Sequence, residues 1–136
     1  MCYFLYGAVH PGVDEKAYAK LLRHSRFHFA VGTKEEVNRC VSSCGTEFRV
    51  TDEMCDCGCA IGSGCPGKKE LVEWEQFLIS LSQIRGVKSL YLSKNWWNKS
   101  NQQERRVHIS DIDAVRFLAR LKENCLYYID LYPRYD

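Results

Sequence analysis

Apolar runs of strand length alternate along the chain with stretches of helical periodicity, and that alternation predicts an α/β (α+β) fold with a mixed, mostly parallel sheet flanked by helices. The length of 136 residues fits a single domain, 1–136, and no repeat, linker or low-complexity tract divides it. With 46% hydrophobic and 26% charged residues, the composition excludes disordered, collagen-like and coiled-coil classes. The expected element order is β-α-β-α-β-loop-α-β-β-α-β.

Each element has a local signature. Cys2 to Val9 is an aromatic and aliphatic run ended by His10-Pro11-Gly12, which reads as a strand followed by a turn. Asp14 can cap a helix whose Ala17, Tyr18, Leu21 and Leu22 share one face. Arg26 to Val31 alternates Phe27, Phe29 and Val31 onto one side of a second strand. Thr33-Lys34-Glu35-Glu36 fits a capping box, opening a helix with Val37, Cys40, Val41 and Cys44 on its apolar stripe and Gly45 at its end.

Glu47 to Thr51 alternates as a third, short strand, and Asp52 to Gly67 reads as a loop with few side chains suited to packing. Lys68 to Arg85 is the strongest helix: Leu71, Trp74, Leu78 and Leu81 follow the 3.6 period, and Gly86 stops it. Val87 to Leu92 is a strand continuing toward Trp96 and Trp97. Asn98 to Glu104 is a polar hairpin or loop, and Arg105 to Ile109 is a returning strand. Ser110-Asp111-Ile112-Asp113 resembles a second capping box, whose helix runs to about Glu123 and buries Ile112, Val115, Leu118 and Leu121. Cys125 to Tyr132 is the last strand.

Charge and termini narrow the setting. A net charge of +2 from 19 basic and 17 acidic residues gives no broad polyanion-binding character, so nucleic acid is an unlikely partner. Lys94 to Arg106 interleaves bases with Trp96 and Trp97, a pattern that can stack single-stranded nucleic acid, yet a tryptophan-anchored hairpin explains it better. Charged residues interrupt every apolar run well short of the roughly 20 residues needed to cross a bilayer, so no membrane association is expected. The N-terminus has no basic segment leading an apolar one, which makes the cytoplasm the expected compartment. Thiols stay reduced there, and clustered cysteines then point to metal or redox chemistry ahead of disulfides.

Eight cysteines are present, and four of them, Cys55, Cys57, Cys59 and Cys65, form C-x-C-x-C-x5-C. Closely spaced thiolates repel one another, and a soft cation relieves the repulsion by bonding them. Glycines at 58, 62, 64 and 67 let the backbone turn around a tetrahedral centre with Zn–S bonds of about 2.3 Å. Zinc is therefore the expected cofactor and these four cysteines its ligands. The spacing is not the common C-x2-C knuckle, and neither familiar iron–sulfur run occurs. A plain Cys/Gly turn and a redox pair within the loop remain open beside it.

The other reactive residue types have simpler explanations. Cys40, Cys44 and Cys125 fit core positions. Cys2 could become an N-terminal nucleophile, but Tyr3 stands where the glycine of such amidotransferases is expected. Pairing of Cys57 or Cys59 with His28 or His108 is conceivable where strand ends meet loops. Asp111 and Asp113 suit a helix start better than an acid–base pair. No phosphate-binding glycine loop follows a strand.

Phe27-His28-Phe29-Ala30-Val31-Gly32, the Cys57-Gly58-Cys59 loop, a long helix and a tyrosine-rich last strand together resemble short uncharacterised bacterial proteins in which an aromatic strand precedes a Gly-Cys-x-Cys-Gly loop. This chain adds Cys55 and Cys65 and lacks the flanking glycines. The resemblance implies a bacterial cytosolic origin and a functional role for the C-x-C loop. The leading expectation is a small binding or regulatory protein that holds zinc. The alternatives are a thiol oxidoreductase using loop cysteines and a protein-interaction module without site chemistry. Partner, substrate and oligomeric state carry no signal in the sequence.

Overall fold

The computed structural model describes residues 3–10, 12–25, 27, 46–49, 56–96 and 99–132. Five strands form one sheet: β1 (Tyr3–Val9), β2 (Thr46–Arg49), β3 (Ser89–Trp96), β4 (Gln103–His108) and β5 (Cys125–Asp130). Three α-helices accompany it: α1 (Glu15–His24), α2 (Lys69–Ser82) and α3 (Ala114–Ala119). The described order is thus β1-α1-β2-α2-β3-β4-α3-β5, an α+β arrangement that differs from the expected one. The expected strand over 26–31 and helix over 33–45 lie outside the described residues, apart from Phe27, which sits in a bend.

The sheet order is β2-β1-β3-β5-β4, and the mostly parallel expectation is wrong. β1 runs antiparallel to β2 and β3, β3 antiparallel to β5, and only β4 and β5 are parallel. The physical reason lies in the connections. A connection makes a parallel pair only when it carries the chain back to the end of the sheet where it started, as the one through α3 does between β4 and β5; the one that includes α1 does not, and its neighbours β1 and β2 run antiparallel. The segment after β3 is likewise no hairpin, because β5 lies between β3 and β4. Asn95 Nδ2 donates to Lys99 O (3.2 Å) and Asn101 Oδ1 (3.0 Å) and closes the turn that leaves β3.

Alternation sorts the strands onto two faces. Leu5, Val9, Leu90, Leu92, Tyr127 and Ile129 join the helices in the main core. Phe4, Tyr6, Ala8, Tyr91 and Leu126 form a second buried cluster on the opposite face. α1 starts where expected, with Asp14 Oδ1 accepting from Ala17 N at 3.2 Å, and buries Tyr18. α2 buries Leu71, Trp74, Phe77, Leu78 and Leu81, each such side chain contributing about 1.5–3 kcal/mol. Phe27 stacks on Trp74 with ring centroids 4.0 Å apart. Gly86 takes φ +87°, and a Cβ there would stand 3.0 Å from Gly12 O and Val13 Cα, so glycine is required.

The last helix departs from expectation. A 3₁₀ turn covers Ile109–Asp111, and α3 starts at Ala114 with Asp113 as its cap, Oδ1 accepting from Arg116 N at 3.2 Å. Ile112 is extended between the two and exposed, not buried. With Asp113 rather than Ser110 as its cap, the helix starts three residues later and is shorter than expected.

Candidate functional site

The described part of the cysteine loop meets β1 beyond the residues that pair with β2. Asp56 N donates to Tyr3 O at 2.8 Å, and Asp56 Oδ2 accepts from Leu5 N at 2.8 Å. One residue thereby supplies both a donor and an acceptor to an unpaired strand edge, and it is buried while doing so. Further on, Gly62 N donates to Leu118 O (2.8 Å) and Gly64 N to Ala119 O (2.7 Å), so the loop satisfies carbonyls at the end of α3.

Ala60 and Ile61 between these anchors are fully buried in the main core. The expectation of a loop with little to pack is therefore corrected. Periodicity could not reveal this, because two apolar residues are too short a run to show a pattern.

Lys94 completes the anchorage. It continues the inward row Leu90, Leu92 of β3, is 2% exposed, and donates from Nζ to Ile61 O at 2.8 Å. No carboxylate lies within ion-pair distance of it among the described residues. It belongs to a buried strand and not to an exposed basic loop. A lysine on the inward parity of an apolar strand is the signal that marks it in the sequence. Gly62, at φ +74°, lies against it: a Cβ there would stand 3.2 Å from both Lys94 Cδ and Leu121 O.

The three described cysteines of the loop differ. Cys57 is exposed, and its Sγ accepts from Tyr3 N at 3.2 Å. Cys65 is exposed, with its N–H on Ser63 Oγ at 3.2 Å, just before α2. Cys59 is half-buried against the core. Burial pushes its thiol up to about 11; the Ile61 amide and Lys94 work against the shift, and Glu70 and Asp56 with it. Cys59 is thus protonated near neutrality and a poor nucleophile without a metal. Cys55 lies outside the described residues, as do Cys2, Cys40 and Cys44. Among the described residues, no three His, Cys, Asp or Glu side chains come together as a metal-holding group. Cys125 is buried in the core as expected.

His10 and His108 stand apart from the loop. His10 Nε2 is 3.0 Å from Tyr91 Oη. His108 Nδ1 is 3.5 Å from Asp130 Oδ2. Asp130 pairs with Ser89, five residues along β3 from Lys94, so His108 is roughly 17 Å of strand away from the loop's anchor. A Cys57–His108 or Cys59–His108 pair is therefore ruled out, and His28 lies outside the described residues.

At that far end the strands assemble a polar group that local motifs do not show. Asp130 accepts from Arg106 Nε (2.7 Å), Arg106 Nη2 (3.2 Å) and Ser89 Oγ (2.8 Å). The Arg106 hydrogen bond, with Ser89 and the nearby His108 assisting, holds the Asp130 carboxyl below the usual carboxylate range against a smaller opposing effect of burial. No family model, curated protein or solved structure matches the chain. No helix among the described residues is long and apolar enough to cross a membrane.

Proposed function

We propose that the chain is a small binding or regulatory protein of the bacterial cytoplasm whose cysteine loop takes up zinc through Cys55, Cys57, Cys59 and Cys65. The observation that supports this reading is the exposure of Cys57 and Cys65 on a loop already held by Asp56, Ile61, Gly62 and Gly64. A backbone ordered in advance presents its thiols without a further ordering cost, which favours capture of an ion. The metal then adds affinity for its own binding rather than supplying the loop's fold. Cys59 would release its proton on binding, as thiols bonded to zinc do.

The test is elemental analysis by mass spectrometry of untagged protein purified without chelator. About one zinc per chain is expected from a complete four-thiolate site, and its loss is expected in Cys57→Ser. Stoichiometric metal retained by Cys57→Ser, or no metal in the unaltered chain, overturns the reading.

A further inference from the structure

β4 and α3 enclose a groove of about 450 Å³ on the helical side of the sheet. Its floor includes the half-buried Val107 and Phe117, and Ile112, at 39% exposure, stands at its side. Arg105, Arg116, Arg120 and Lys122 surround that apolar strip, and the single acid among the lining residues, Asp113, is taken up by Arg116. Arg105, Arg120 and Lys122 have no carboxylate partner among the described residues. A cationic rim around an apolar strip calls for a ligand that is both acidic and apolar.

A second feature adjoins the groove. β4 is the last strand of the described sheet, so every second residue turns its backbone N–H and C=O away from β5 with no described strand to meet them. Two-fold antiparallel pairing by a second copy of β4 centred on Arg105 or on Arg106 would set that arginine against its own counterpart, a like-charge contact that disfavours self-association there. A nucleic acid would use the cations but not the strand edge, and the chain's net charge of +2 gives it little general attraction to polyanions.

We infer that the β4 edge and its groove dock an extended acidic peptide segment, in which the every-second residues that face the groove are by turns acidic and apolar, and which adds to the sheet beside β4. Its main chain pairs with the open edge. On the groove side its carboxylates meet Arg105, Arg120 and Lys122 while its apolar side chains lie along Val107, Ile112 and Phe117. The inference is independent of the zinc reading, since the groove uses none of the cysteines.

The experiment is a fluorescence-anisotropy titration of the full chain with a labelled decapeptide repeating Glu-Thr-Val-Thr, whose extended form carries glutamate and valine on one face. Hydrogen exchange of the complex is measured alongside. Saturable binding that weakens with salt and slowed amide exchange across 103–108 are expected. The double variant Arg105→Glu with Arg120→Glu, both at exposed positions, should weaken binding at least about tenfold. The same decapeptide with lysine in place of glutamate should not bind. Failure of the acidic peptide to bind, equal binding by the double variant, or unchanged exchange in β4 overturns the inference. Equal displacement by inorganic phosphate or by oligothymidylate also overturns it, since that marks a general anion site. The exchange footprint on the unaltered chain stands even if the double variant folds poorly.

Discussion

The cysteine loop and the β4–α3 edge are opposites. The described part of the loop has no helix or strand, yet its backbone is tied to β1, α3 and Lys94, and Ile61 is fully buried at its centre. The β4–α3 edge is a regular strand and helix, yet among the described residues it leaves a backbone edge unpaired, Arg105 and Arg120 without a carboxylate partner and Ile112 exposed. Regular structure is therefore a poor guide to how firmly a region is held. Satisfied polar groups and buried area decide that, and the region with unsatisfied valences is the one fitted to recruit a partner.

The two isoleucines offer the sharpest way to break this comparison. Ile61→Ala removes a fully buried side chain and should cost about 3 kcal/mol, whereas Ile112→Ala should cost less than about 0.5 kcal/mol. Urea midpoints at constant slope measure both, and similar losses would show that the loop is no better held than the edge.

Asp56 comes next in size. Asp56→Ala leaves Leu5 N–H without its acceptor at a buried position and should cost about 1–3 kcal/mol, while Asp56→Asn keeps an acceptor oxygen and should recover much of that. Equal losses in the two variants would remove the hydrogen bond to β1 as the loop's anchor.

The smallest effect belongs to the polar group at the far end. Because the Asp130 carboxyl titrates lower in the folded chain than its ordinary value near 4, its contribution is fully present above that value. The contribution is lost as pH falls through the lower folded value. Stability of Asp130→Asn should therefore fall less steeply below pH 4 than that of the unaltered chain. Parallel acid-denaturation curves would sink the assignment.

Where one face of an element meets the core, the sequence was legible. The strands β1, β3 and β5, the helix α1 with its Asp14 cap, the long helix α2 and the core position of Cys125 all follow from period and capping. The run of cysteines was visible too, because a cluster of one residue type needs no tertiary context. Strand pairing was not legible: the same strands could make a parallel or an antiparallel sheet, and neighbours far apart in sequence settle it.

Residues within a single element announce themselves through its period, and the sequence by itself determined them. What only the tertiary structure decided are the relations between elements. Lys94 is buried because Ile61 O meets its Nζ, Asp56 bonds to β1 beyond the residues that pair with β2, and Arg106 meets Asp130 because β4 lies beside β5. Each of these joins residues at least 24 positions apart, and no local preference encodes a contact across such a distance.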